Sequence, residues 1–317
     1  METDTITYPK VEFAPRRLAH VNLWVSDLEN SIRFYETVCG LELVRRERDL
    51  LIAFHSNGNT HHDIGVIEIS RGRDRYGRDG MIQIPKTRGL TTGLNHLGWE
   101  MDNEAQLVQA YQRAQALGFP VQRTVDHLIS HSVYISDPDG NEHELYADQL
   151  NDWRSIYNLE REEEVTGRWD PLAIPPKHDP HYNVDPPIRR VEGALLHPSH
   201  LTGACFNTRQ FDVMRDFFVS IVGLRLIREE NAPQRRAYLA GACGRIDLTL
   251  REVGDDSPVG LHQFRLRLNE RTDLAQAAER LRAAGHRAQA GVDSQGSPEL
   301  LLLDPDGFTL VFHQADA

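Results

Sequence analysis

Histidines, carboxylates and one tyrosine set into short apolar runs are the residues of this chain that could do chemistry. His20 lies in HVNLWV, His62 and Glu68 in HHDIGVIEIS, His96 in HLGWEM, and Tyr134 and Glu144 in SHSVYISDPDGNEHELYAD. Strand-like runs that end in a core avoid such groups, because a buried polar side chain needs a partner to offset its lost hydration. Alternate residues of a strand share a face. His20 is therefore expected to point the same way as Asn22 and Trp24, His62 the same way as Glu68, and Glu144 the same way as Glu142 and Tyr146. Two histidines and one carboxylate from three strands, with further positions open, suit Fe(II) that must hold both a substrate and dioxygen. Three carboxylates would suit Mg instead, and three thiolates Zn.

The chain also contains its own control, because it repeats itself. LAHVNLWVSDLENSIRFYETVCGLELVRRE from Leu18 aligns without a gap with LTGACFNTRQFDVMRDFFVSIVGLRLIREE from Leu201, an offset of 183 that we extend through HDIGVIE against RIDLTLR. NHLGWEM onward from Asn95 aligns with HQFRLRL from His262 through to the DPDG turns, at an offset of 167. The difference, 183 − 167, makes an insertion of 16 residues between Glu68 and Gly93 of the first copy, with the Gly and Arg content of a loop. In this alignment His20 faces Gly203, His62 Arg245, His96 Gln263, Tyr134 Leu301 and Glu144 Val311. Residues common to both copies build the fold, and these five exchanged residues are not needed for it.

Each half of each copy has one pattern. A short strand leads to a helix with apolar residues at helical spacing (Leu28, Ile32 and Tyr35; Leu107, Ala110, Tyr111 and Ala114), a glycine (Gly40, Gly118) ends the helix, and short strands follow. The expected class is α+β: four βαβββ modules in two tandem domains, 17–148 and 198–314, each a curved mixed sheet enclosing a cavity. The proline- and charge-rich segment 149–197 reads as a connector rather than a packed element.

Composition narrows the class of partner. A chain of 317 residues with 40% apolar and 26% charged content has the make-up of a globular protein. Its formal net charge of −12 argues against a nucleic-acid partner. Apolar runs fall short of the roughly 18 residues of a spanning helix, and the first residues lack the basic and apolar regions of a signal peptide, so a cytoplasmic location without a membrane partner is expected. The three cysteines, Cys39, Cys205 and Cys243, are odd in number and far apart, and suggest free thiols.

At these residues the sequence resembles the vicinal oxygen chelate superfamily (glyoxalases, bleomycin resistance proteins and extradiol dioxygenases), and within it extradiol enzymes similar to catechol 2,3-dioxygenase. HVNLWVSDLENSIRFYETVCGLEL resembles the family's opening strand and helix, GLNHLGWEM its second ligand strand and SHSVYISDPDGNEHELYAD its closing one. The resemblance implies His20, His96 and Glu144 as ligands of Fe(II), with Mn(II) the alternative metal. It implies His62 as the acid–base group and Tyr134 as a hydrogen-bond partner of a substrate oxygen. Trp24, His127, His131 and Glu68 are expected around the substrate, and Arg73, Tyr76, Arg88, Trp169 and Tyr182 of the insertion and connector as a lid. The implied reaction is the opening of a small aromatic diol by O2 in the first copy, the second serving as a degenerate scaffold in a homo-oligomer. Two other readings belong to the same superfamily. One is a glyoxalase- or epimerase-type lyase or isomerase with Glu68 as fourth ligand; the other is a metal-free small-molecule binder.

Overall fold

The computed structural model describes residues 8–293 and 295–314. In the first copy, β1 (Arg17–Val25), α1 (Leu28–Arg33, continued by a wider turn over Phe34–Val38), β2 (Leu43–Glu47), β3 (Ile52–His55) and β4 (Ile64–Glu68) make one βαβββ module. The insertion adds a small ladder, β5 (Arg75–Tyr76) and β6 (Ile82–Ile84). The second module is β7 (Gly93–Glu100), α2 (Glu104–Ala116), β8 (Arg123–Asp126), β9 (Ser130–Ser136) and β10 (Glu142–Asp148), and β11 (Gly167–Arg168) lies in the connector. The second copy repeats the plan with β12 (Pro198–Thr208), α3 (Phe211–Phe217), β13 (Arg225–Glu230), β14 (Arg236–Ala240) and β15 (Ile246–Glu252). It closes with β16 (Gly260–Leu268), α4 (Leu274–Ala283), β17 (Ala288–Val292), β18 (Pro298–Leu303) and β19 (Thr309–His313).

Local chemistry sets the element ends. Asp27 and Asn103 cap α1 and α2 by accepting from the backbone N–H of Asn30 and Gln106. Gly40 and Gly118 follow the helices in the left-handed region, at φ 74° and 68°. Leu28, Ile32 and Tyr35 face inward, as their spacing predicts.

Two curled mixed sheets result, a nine-stranded one in the order β11-β8-β9-β10-β7-β1-β4-β3-β2 and an eight-stranded one in the order β13-β14-β15-β12-β16-β19-β18-β17. In the first, β1 runs parallel to β4 and antiparallel to β7, and β7 runs parallel to β10. Helices and apolar side chains of both copies share one core on the outer faces of the sheets.

The structure corrects three sequence expectations. The copies run at an offset of 183 only to the end of their first modules' second strands: Val21 pairs with Ile64 and Ala204 with Leu248, which places residue 64 against 248, an offset of 184. Asp63 thus matches Asp247, and the counterpart of His62 is Ile246 rather than Arg245. Second, the connector is packed. Trp153, Tyr157, Val165 and Trp169 are buried, and β11 extends the first sheet beside β8. The buried guanidinium of Arg45, 3.2 Å from Glu47, donates to the carbonyls of Arg161 and Glu163 and ties the connector to β2. Third, the insertion is anchored by Arg75, which donates to the carbonyls of Leu50 (2.9 Å), Glu68 (2.7 Å) and Ile69 (2.6 Å).

Candidate metal centre

Register brings the exchanged residues together. His20 of β1 and Glu144 of β10 both pair with Gly98 of β7, one from each side, and His96 lies two residues from Gly98 on the same face. Gly98 has no side chain to fill the middle: a Cβ there would lie 1.9 Å from His20 Nε2. Into that space point His20 Nε2, His96 Nε2 and Glu144 Oε2. The separations are 2.8 Å from His20 to Glu144, 3.0 Å from His96 to Glu144 and 3.3 Å between the two imidazoles. Donors about 2.1 Å from one ion and at right angles to one another lie about 3.0 Å apart, so the three fit one face of an octahedral metal. All three side chains are buried.

Surrounding groups hold this set in place. Ser132 Oγ donates to Glu144 Oε1 at 2.6 Å, and His96 Nδ1 contacts Asn95 Oδ1, which turns Nε2 toward the centre. Burial favours protonation of Glu144, but hydrogen bonds from His127, His20 and His96 outweigh it and hold the carboxyl well below its usual range. Burial lowers His20 to about 4 despite the attraction of Glu144, so its ring is neutral at pH 7. The neutral His20 ring, the His96 imidazole and one carboxylate make a set of nitrogen and oxygen donors suited to a divalent cation.

His62 stacks on His20, with ring centroids 4.0 Å apart, and its Nε2 lies 3.2 Å from Asn22 Oδ1. Its Nδ1 is buried without a hydrogen-bond partner, and burial followed by the neighbouring His20 pushes its pKa well below the ordinary value. On the opposite side of the centre the Tyr134 hydroxyl is 3.2 Å from His127 Nε2, which is 3.5 Å from Glu144 Oε1. Burial, then the charge of Glu144, raises the Tyr134 hydroxyl well above its usual pKa, and it stays a donor. Trp24, His62, His127 and Tyr134 line one cavity with about 70 Å³ of room for water centres. Ile84 and Arg88 of the insertion and Tyr157 and Thr166 of the connector complete its wall.

Two residues expected around the substrate lie elsewhere. Glu68 pairs with Val25, whereas Trp24, on the face of His20, pairs with Ile67, so Glu68 faces the outer side of the sheet. There it accepts from Leu28 N, at the start of α1, at 3.3 Å and lies 3.2 Å from Arg71. His62 precedes β4 in a turn, and side-chain alternation does not run through it to Glu68. His131 pairs with Ala147, out of phase with the Tyr134–Glu144 pair. It contacts Glu104 at 2.6 Å and stacks on Trp169 with centroids 4.5 Å apart, tying α2 to the connector. Of the expected lid, Arg88 lines the cavity; Arg73, Tyr76, Trp169 and Tyr182 do not.

Sequence reasoning missed Gly98, Asn95 and Ser132. Parity carried a signal for two of them, since Ser132 and Gly98 share faces with Tyr134 and His96. His61, the residue before His62, is buried, with Nδ1 3.2 Å from Asp148 Oδ1. His20, His61 and His62 also form a close group. Their nitrogens serve a metal less well, because His62 stacks on His20 and no carboxylate in that group would balance a cation's charge.

Comparison with known proteins follows the same lines. The family model described as Glyoxalase/Bleomycin resistance protein/Dioxygenase superfamily matches residues 17–145 and 197–312. A probable trivalent organoarsenical cleaving enzyme of Bacillus subtilis is 24% identical over 139 residues, 43% of this chain and 82% of that enzyme. Catechol-2,3-dioxygenase of Bacillus subtilis is 26% identical over 145 residues, 46% of this chain but only 45% of the dioxygenase's own length. Lactoylglutathione lyase of Pseudomonas aeruginosa is 25% identical over 167 residues, 48% of this chain and 90% of the lyase. In fold, the chain resembles the 2,3-dioxygenase LapB from Pseudomonas sp. KL28, with a TM-score of 0.66, 16% identity and coverage of 96% and 93% of the two chains. It also resembles a Mn(II)-bound glyoxalase from Novosphingobium aromaticivorans, with a TM-score of 0.62, 15% identity and coverage of 95% and 82%.

Proposed function

The chain belongs to the Glyoxalase/Bleomycin resistance protein/Dioxygenase superfamily, and from that premise we propose that it is an Fe(II)-dependent extradiol dioxygenase that opens a catechol-type aromatic diol with O2. One observation carries the reading: among the described residues the convergent His20, His96 and Glu144 group numbers three, with Glu68 turned to the other side of the sheet. A three-donor set leaves room for two reactants, whereas the lyase or isomerase alternative called on Glu68 as a fourth donor.

His20, His96 and Glu144 would hold the ion. When bound, Fe(II) supplies Lewis acidity toward the two adjacent diol oxygens and a redox route to dioxygen. The chain's own groups do the rest. His62, neutral and with Nδ1 unpartnered, takes the diol proton at that nitrogen and later returns it. The Tyr134 hydroxyl, steadied by His127, donates to a substrate oxygen and fixes the ring's rotation. Trp24, Phe54, Ile67 and Ile84 give the ring an apolar slot that excludes water.

The test is anaerobic purification with metal analysis, then Fe(II), air and a panel of catechols, recording O2 uptake and a yellow ring-opened product. Activity is expected in the wild type and absent in His20→Ala and Glu144→Ala. In His62→Ala the turnover is expected to fall by roughly 10²- to 10⁴-fold with metal content retained. Glu68→Gln is expected to leave metal content and O2 uptake unchanged. Loss of metal in Glu68→Gln, or bound metal with no O2 uptake, refutes the reading.

A further inference from the structure

The second copy keeps the curled sheet and inverts its charge. Gly203, Gln263 and Val311 stand where the first copy has His20, His96 and Glu144. Arg265 takes the place of Gly98, since Gly203 and Val311 both pair with it as His20 and Glu144 pair with Gly98. A guanidinium thus rises from the point that the first copy leaves empty for its donor set. The corrected register gives two more exchanges in the same direction: Arg245 for His61, and Arg267 for the buried Glu100, which in the first copy pairs with Arg17 at 2.9 Å. The fourth arginine, Arg228, matches Arg45, but it lies open where Arg45 is sealed beneath the connector.

These four arginines line one groove with about 500 Å³ of room for water centres, against about 70 Å³ in the first copy. Few acids offset them. Glu299 lies 3.1 Å from Arg265 and Glu230 3.5 Å from Arg228. Asp293 faces the groove too, with one carboxylate oxygen accepting from the backbone N–H groups of Gln295 and Ser297. Arg245 instead contacts His200 Nε2 at 2.9 Å, and that ring is held neutral by burial and then by Arg245 itself. Arg267 Nε is buried without a hydrogen-bond partner. In a chain of formal net charge −12, four guanidinium groups in one hollow repel one another unless an anion joins them.

We propose that the concave face of the second copy binds a small organic oxyanion, its carboxylate or phosphate held between Arg265 on the floor and Arg228, Arg245 and Arg267 on the walls. Guanidinium matches both groups in bidentate geometry. The ring of Tyr238, stacked 4.0 Å beneath the Arg228 guanidinium, offers an apolar surface to the body of the ligand.

The test is calorimetric titration of the full chain with inorganic phosphate and, separately, with benzoate, against chloride at matched ionic strength. Saturable binding of either probe is expected, and which one binds tells a phosphate ligand from a carboxylate ligand. Arg245→Gln with Arg267→Gln is expected to weaken it about tenfold. The exposed Arg245→Gln alone is expected to weaken it in the same direction, which covers the case of a misfolded double variant. Arg280→Gln, at the end of α4, is expected to leave it unchanged. Binding no stronger than that of chloride, or binding indifferent to the groove variants, overturns the proposal.

Discussion

At the scale of single residues, a glycine lets the proposed metal donors of the first copy meet. His20 and Glu144 reach the centre only because the residue between them on β7 has no side chain. Gly98→Ala would put a methyl group 1.9 Å from His20 Nε2 and force the ring aside. The expected outcome is loss of stoichiometric metal with a stability cost of about 1–3 kcal/mol, since one extra methyl in a packed site is accommodated by local shifts. Metal analysis and denaturant titration of the same preparation read the two effects separately. Retention of metal in Gly98→Ala would show that the donors do not meet over that glycine.

Among the elements, the connector and the insertion turn an open sheet into a closed pocket. Tyr157 and Thr166 come from one, Ile84 and Arg88 from the other. Arg45 holds the connector through the carbonyls of Arg161 and Glu163 while pairing with buried Glu47. Arg45→Met removes one partner of a buried ion pair and is expected to cost about 3–5 kcal/mol. It should also release the connector locally. Limited proteolysis is expected to cut between residues 159 and 164 in the variant faster than in the wild type, and equal cleavage rates would place the anchor elsewhere.

Across the whole molecule, the two copies embrace through matched contacts. Leu18 N donates to Asp247 Oδ1 at 3.0 Å, and the equivalent Leu201 N donates to Asp63 Oδ1 at 2.9 Å. Burial raises both carboxyls from 3.8 to about 6, partly opposed by those same backbone donors. A carboxyl whose folded pKa is raised holds its proton in the folded state where the unfolded chain has lost it. Stability from this pair is therefore full below pH 3.8 and declines as pH rises to about 6. The decline is about 3 kcal/mol per carboxyl. Relative to Asp63→Asn with Asp247→Asn, the wild type is expected to gain stability between pH 7 and pH 5. A pH-independent difference in denaturation midpoint would show that neither group titrates in that window.

Much of this was legible in sequence because it depends on short-range pattern. Helical spacing and glycine stops mark the four βαβββ modules, DPDG turns mark the second and fourth, and the within-chain repeat singled out His20, His96, Glu144, His62 and Tyr134. Side-chain alternation holds inside a strand, so it predicted the shared face of Glu142, Glu144 and Tyr146. It cannot cross a turn or carry over a one-residue shift, which is why Glu68 was misplaced and His62 was matched with Arg245. His131 was a different miss, because its odd register against Tyr134 was there to be read. Only the tertiary structure set Gly98 between the strands of His20 and Glu144, folded the connector over Arg45 and gathered Arg228, Arg245, Arg265 and Arg267 in one hollow. Those facts depend on pairings between segments far apart in the chain, where position is fixed by sheet closure rather than by local spacing.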